Sequence, residues 1–159
     1  MTRAAVITVS DRSAEGSRPD VSGPVAVAAL REAGFDCANA VVIADGADSV
    51  ERALTAEVVA GVKLIVTTGG TGVSPRDQTP EGTARVVTRQ VPGIAEELRR
   101  RGAAAKPAGM LTRGVAGVVD PHGALVVNLP GSPGGVADGM PVVLSVARHV
   151  LDQLGGGDH

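Results

Sequence analysis

Tryptophan and tyrosine are missing from this 159-residue chain, and phenylalanine occurs once, at Phe35. No ligand base can therefore be held in an aromatic stack, and the stacking platforms of single-strand nucleic-acid binders are excluded. The core must be assembled from Val, Leu, Ile and Ala. A positive surplus is lacking too: 15 basic against 17 acidic residues leave a formal net charge of -2. Nothing draws the chain onto a nucleic-acid backbone or an anionic membrane. A single cysteine, Cys37, rules out an internal disulfide, and its place in an expected strand marks it as a small buried residue rather than a nucleophile. The histidines, His122, His149 and His159, are scattered, so neither a Cys/His metal cluster nor a Ser-His-Asp set can be argued. No apolar run approaches the roughly 18 residues of a membrane span. Met1 to Val6 run straight into a strand-like segment without a signal-peptide layout. The expectation is a soluble, cytoplasmic protein with no nucleic-acid and no membrane partner.

What is present is a regular alternation of strand and helix signals. Residues 4–9 form a β-branched run of the kind buried on both faces in a parallel sheet. A Gly- and Ser-bearing loop reaches Gly23, a helix follows up to Gly34, and residues 37–43 read as a second strand. Asp48 and Glu51 fit a capping box for a helix over 49–60, whose Val50, Leu54 and Val58 make one apolar face. Residues 62–67 are the third strand and open into Gly69-Gly70-Thr71-Gly72. Thr79-Pro80-Glu81 reads as a helix start with Thr79 as cap, and a second helix begins near Pro92. Arg99-Arg100-Arg101 are placed at the end of that helix, a solvated face suited to the helix dipole. Residues 115–119 and 124–127 form a hairpin around Asp120-Pro121-His122-Gly123, and a long helix closes the domain near Leu154. The fold class is thus α/β: three layers around a doubly wound, mostly parallel but mixed sheet. Residues 1–154 make one domain and residues 155–159 a flexible tail.

Ligands of such sheets gather outside the carboxyl ends of the strands, where Asp11, Asp45 and the glycine turn all fall. Adjacent glycines let several amides face one concavity suited to phosphate oxygens, although they equally suit a tight strand-to-helix turn. The spacing matches neither a Walker A loop nor a dinucleotide fingerprint. Arg76 and Asp77 follow closely and bring a cation and a carboxylate, the components that phosphoryl or nucleotidyl transfer needs. Asp45 and Asp11, each at a strand end, can share a Mg²⁺ with water ligands; the plain alternatives are a turn at Asp45-Gly46 and a loop cap at Asp11. Thr112 and Arg113 add a hydroxyl and a guanidinium. Asn128 to Pro133 add a polar side chain and a second glycine turn, which turn chemistry alone can also explain.

Taken in order, Ser10-Asp11-Arg12 with Gly16, Asp20, Gly23 and Pro24, then Thr68-Gly69-Gly70-Thr71-Gly72, Arg76-Asp77, Thr79-Pro80-Glu81, Thr112-Arg113-Gly114 and Asn128-Leu129-Pro130-Gly131-Ser132-Pro133 resemble the MogA/MoaB family of molybdenum-cofactor biosynthesis proteins, related to the gephyrin G domain. The resemblance runs over essentially the whole chain. It implies a three-layer molybdopterin-binding domain in which ATP adenylylates molybdopterin with Mg²⁺, giving adenylyl-molybdopterin and pyrophosphate. The family's two critical aspartates match Asp45 and Asp77, which become the catalytic and metal-holding candidates. Substrate contacts are expected from Ser10, Asp11, Arg12, Gly69, Gly70, Thr71, Gly72, Arg76, Thr112, Arg113, Asn128, Pro130, Gly131 and Ser132. The resemblance also implies a homo-oligomer, trimeric or hexameric, with the molybdenum-insertion protein as a candidate partner. A non-catalytic, MoaB-type molybdopterin- or nucleotide-binding module is the alternative.

Overall fold

The first strand, β1 (Arg3–Val9), covers the expected β-branched run, and its side chains alternate between two apolar clusters, Val6 in one and Ile7 in the other. A strand of this pattern is covered on both faces. The computed structural model describes residues 1–158 and shows, among them, a seven-stranded sheet. Beside β1 run β4 (Leu64–Thr68) and then β7 (Ala124–Leu129), all parallel. β6 (Ala116–Val119) returns antiparallel to β7, and the short β5 (Arg89–Gln90) lies beyond it. On the far side of β1, β2 (Asp36–Cys37) and β3 (Val41–Ile43) both pair with it in parallel.

One face carries α2 (Ser22–Glu32), α5 (Pro92–Ala105) and α6 (Pro133–Leu154), which bring Leu30, Ile94 and Met140 into the cluster around Val66, Leu125 and Val127. The other carries α3 (Ala47–Val59), whose Val50, Leu54 and Val58 pack with Ile7, Ile65 and Val126. Full burial of a side chain such as Leu54 is worth about 1.5–3 kcal/mol. The mixed sheet between two helical layers is the expected architecture. Cys37 is buried, and burial pushes its thiol above the ordinary range, which suits a core residue and not a nucleophile. None of the described helices is long and apolar enough to cross a membrane.

Several local expectations need correction. The strand over 37–43 is two short strands, because Arg31 of α2 takes the Cys37 carbonyl at 2.8 Å and Asn39 Oδ1 at 3.2 Å. The loop after β1 opens with a helix, α1 (Asp11–Glu15), capped by the Ser10 hydroxyl and ended by Gly16 at φ +82°. The capping box of Asp48 and Glu51 does not form. Instead the Ala47 amide donates to Gln78 Oε1 at 3.2 Å, and Asp48 pairs with Arg85 at 2.7 Å. Thr79 does not cap α4 (Thr79–Ala84): Gln78 is its N-cap, and the buried Thr79 hydroxyl donates to the Gly69 carbonyl at 2.8 Å. The arginine triplet does not end its helix, since α5 continues to Ala105. Arg100 and Arg101 pair with Glu97 on the exposed face, whereas Arg99 donates to the Gly114 carbonyl at 2.9 Å. Beyond Leu154 the amides of Gly155 and Gly156 donate to Leu151 and Gln153, each at 3.0 Å. The last residue of the expected tail, His159, lies outside the described residues.

α4 rests on α3 at Gly82, where an added Cβ would lie 2.6 Å from the Ala47 carbonyl oxygen and 2.8 Å from Val50 Cβ. Alanine would gain about 1 kcal/mol of helix propensity, but overpacking costs about 1–3 kcal/mol, and here a backbone carbonyl is among the atoms that must move. Gly82→Ala is therefore expected to lower the urea midpoint of unfolding. An unchanged or raised midpoint would show the α3–α4 contact to be loose.

Candidate functional site

Four parallel strands end at one edge, at Val9, Ile43, Thr68 and Leu129, and the loops leaving them build the site. After β4 the chain turns through Gly69 at φ +93° and Gly70 at φ +67°, a left-handed region that glycine enters freely. Space demands glycine as well. A Cβ on Gly69 would lie 2.3 Å from the Val9 carbonyl oxygen, and one on Gly70 would lie 2.2 Å from Thr79 Oγ1. The Gly69 amide donates to the Leu129 carbonyl at 3.1 Å. The Gly69 amide thus continues the sheet, and a substrate contact from Gly69 does not come from its amide. The amides of Gly70, Thr71 and Gly72 meet no acceptor among the described residues, and such a run of donors suits phosphate oxygens.

Arg113 braces the arm that follows. Its guanidinium donates to the Gly72 carbonyl, the Asp77 carbonyl and the Glu81 carboxylate, each at 2.7 Å, and its amide donates to the Thr71 carbonyl at 2.7 Å. This contact holds the Glu81 carboxyl below its ordinary range and raises Arg113. The charge that was expected to meet substrate is therefore matched within the protein. Asp77 Oδ2 accepts from the Ser74 amide at 3.1 Å, which curls residues 74–77 and brings the carboxylate back beside Gly72.

At the neighbouring strand ends, Asp11 and Asp45 exchange two hydrogen bonds. The Asp11 amide donates to Asp45 Oδ2 at 2.9 Å, and the Asp45 amide donates to Asp11 Oδ1 at 3.0 Å. Arg76 forks onto both Asp11 oxygens at 3.1 Å and reaches the Asp45 carbonyl at 3.0 Å. Arg76 thereby holds the Asp11 carboxyl below its ordinary range. Burial pushes the Asp45 carboxyl above it; the Asp11 amide offsets part of this, and the charges of Asp11 and Asp77 add to it.

Two cavities flank the glycine turn. The larger, about 610 Å³, is lined by Asp45, Asp77, Gly69 and Gly70, together with Ser10 and Gly131. The second, about 450 Å³, lies on the Thr71–Gly72 side and reaches Thr112, Asn128 and Pro130. Ser132 lines both, and its hydroxyl also accepts from the Gly135 amide at 3.1 Å to cap α6. Asp11, Arg12, Arg76 and Arg113 line neither. Asn128 is buried with its side chain fully engaged: it accepts from the Val115 amide at 3.1 Å and donates to Thr67 at 2.9 Å and Thr83 at 3.0 Å. Sequence reasoning does not single out Arg18 at the larger cavity or Lys106 at the second, and it reads Arg99, also at the second, as part of a solvated triplet. No motif or periodicity marks Arg18 or Lys106. Asp20, which also lines the larger cavity, is visible only as part of the first-loop pattern.

Asp45 and Asp77 both line one cavity, and a cation held there would favour the ionised form that burial disfavours at Asp45. No group of three or more metal-binding side chains is found among the described residues. The donor set therefore fits Mg²⁺, which takes one or two carboxylates and completes its shell with water or phosphate.

Over residues 5–149 the chain matches a family described as "Probable molybdopterin binding domain". It is 38% identical to the molybdenum cofactor biosynthesis bifunctional protein of Synechococcus elongatus, with 98% of this chain and 48% of that protein covered. It therefore spans about half the length of that curated relative. With the molybdopterin adenylyltransferase of Helicobacter pylori it shares 31% identity, over 95% of this chain and 86% of that protein. The solved structure of the molybdopterin-biosynthesis Mog protein from Mycobacterium ulcerans superposes with a TM-score of 0.90 at 45% identity, covering 97% of this chain and 99% of that one.

The Arg113 brace makes a pH-dependent prediction. A carboxyl held below its ordinary value contributes stability above that value and loses it as the pH falls through its folded value. Both partners are partly exposed, so the effect is at most about 1 kcal/mol. Glu81→Gln is expected to lower the melting temperature slightly at pH 7, with the difference from wild type closing on acidification below the ordinary value of 4.5. A difference that persists at low pH would assign the loss to packing instead.

Proposed function

The chain belongs to the molybdopterin-binding MogA/MoaB family, and from that premise we propose that it transfers the adenylyl group of ATP to molybdopterin, releasing pyrophosphate. The observation that carries this reading is the pair Asp45 and Asp77 at one cavity, beside a glycine turn whose Gly70, Thr71 and Gly72 amides are unpaired. Adenylyltransferase relatives matched over most of their length favour it over the non-catalytic alternative.

A terminal phosphate oxygen of molybdopterin attacks the α-phosphorus of ATP. A new P–O bond forms there, the bond to the bridging oxygen breaks, and pyrophosphate leaves with the electron pair. The protein's part is position and charge. The amides of Gly70, Thr71 and Gly72, between the two cavities, donate to phosphate oxygens, and Arg18 in the lining of the larger cavity supplies a cation for the leaving pyrophosphate. Asp45 and Asp77 would hold Mg²⁺, which when bound neutralises phosphate charge. The second cavity, with Leu98, Ala95 and Gly139 in its wall, takes a fused ring of one substrate, and Ser132 lies between ring and phosphate. On the same reading residues 1–154 act as one domain, in a cytoplasmic homo-oligomer, trimeric or hexameric, whose product passes to the molybdenum-insertion protein.

Purified protein given molybdopterin, ATP and Mg²⁺ is expected to release pyrophosphate, and Asp77→Ala and Asp45→Ala to lower the rate by about 10²-fold or more, as loss of a charge-stabilising group does. Release no faster than in these variants would overturn the enzymatic reading and leave a binding module.

A further inference from the structure

We propose that Asp11 and Arg76 are positioning residues, forming a strap that ties the ends of β1 and β3 to the glycine-loop arm and so sets the Asp45 carboxylate against Asp77, without touching substrate. The proposal rests on the adenylyl-transfer reading for its kinetic consequences and on geometry alone for the strap itself.

Both Asp11 oxygens are taken. Oδ1 accepts from the Asp45 amide and from Arg76 Nη2, and Oδ2 accepts from Arg76 Nε. A carboxylate held in a guanidinium fork is neutralised and geometrically fixed. In return the Asp11 amide holds Asp45 Oδ2, which stops the Asp45 carboxylate from turning. Its other oxygen, Oδ1, is left 3.1 Å from where a Gly70 Cβ would stand, beside the glycine turn. Arg76 directly precedes Asp77, so the fork that grips Asp11 also fixes the arm carrying the second carboxylate.

Two further facts separate positioning from substrate contact or plain stability. Asp45 and Asp77 line the larger cavity, whereas Asp11 and Arg76 do not. The Arg76 side chain is 65% exposed, and an ion pair so open to solvent contributes too little to make stability its main role. The charges of both Asp11 and Asp77 act on Asp45, and the arginine matches that of Asp11.

The test compares Arg76→Gln, Arg76→Lys and Asp11→Asn with wild type in steady-state pyrophosphate release. Arg76→Gln is expected to lower kcat about 10- to 100-fold, the scale of a misplacement near 1 Å, with KM for ATP within about twofold because no uniform binding is lost. Asp11→Asn follows the same pattern. Arg76→Lys is not expected to restore the rate, since an ammonium cannot fork. Arg76→Gln combined with Asp11→Asn should be no slower than the slower of the two single variants, because the two side chains act as one strap. A rise in KM of about tenfold with kcat kept would mean uniform substrate binding and would overturn the proposal. Rescue by lysine, or multiplicative losses in the double variant, would overturn it too. Should wild type release no pyrophosphate, adenylyl transfer falls and amide hydrogen exchange decides the strap. The Asp11 and Asp45 amides should then exchange about tenfold faster or more in Arg76→Gln while β4 stays protected; unchanged exchange would overturn the strap on its own.

Discussion

Where β4 gives way to the glycine turn, the backbone passes so close to β1 that an added Cβ on Gly69 would lie 2.3 Å from the Val9 carbonyl oxygen and 3.9 Å from Gly131 Cα. That approach brings the exits of β1, β4 and β7 together, and the surrounding architecture follows from it. The Thr79 hydroxyl and amide reach the carbonyls of Gly69 and Gly70, at 2.8 and 3.0 Å, which ties the start of α4 to the turn. Through Gly82, α4 rests on α3, and the loop entering α3 carries Asp45. One contact that admits only hydrogen is thus coupled, step by step, to the placement of both carboxylates at the cavity.

Charge is distributed unevenly around this frame. Arg113 is matched by Glu81, Arg76 by Asp11 and Arg85 by Asp48. Asp45 is different: burial disfavours its ionised form, and two further carboxylates lie close enough to add to the effect. A carboxyl raised in the folded state costs stability once it ionises, at pH values above its ordinary range. Such a cost is characteristic of positions where the charge serves chemistry, and here the charge faces the cavity that phosphates and a cation would occupy. The rigid braces around it hold the loops without consuming that charge.

Strands and amphipathic faces were legible because their signal is local. The alternation of Val6 and Ile7, or the spacing of Val50, Leu54 and Val58, reflects the geometry of the element that contains them. Caps were less legible. Asp48 has the spacing of a capping box, yet the α3 amide is satisfied by Gln78, 31 positions away. Asn128 reads as a polar loop residue, but it ends up buried, joining Thr67 and Thr83 from other elements. Arg99 looks like part of a solvated triplet and instead supports the loop at Gly114. In each case a local pattern lost to a partner that only the folded chain brings near.

The glycine turn shows the same division. From the sequence alone came the α/β class, the strand that feeds the turn, the need for glycine in it, and Asp45 and Asp77 as the carboxylates to watch, because residue type, periodicity and motif order survive without coordinates. Tertiary structure alone decided which groups remain available. It bound the Gly69 amide to Leu129, closed Arg113 onto Glu81 and Arg76 onto Asp11, and brought Arg18 to the cavity beside Asp45 and Asp77. Hydrogen bonds and ion pairs are contests among every donor and acceptor within about 3 Å, and separation along the chain says little about who enters them.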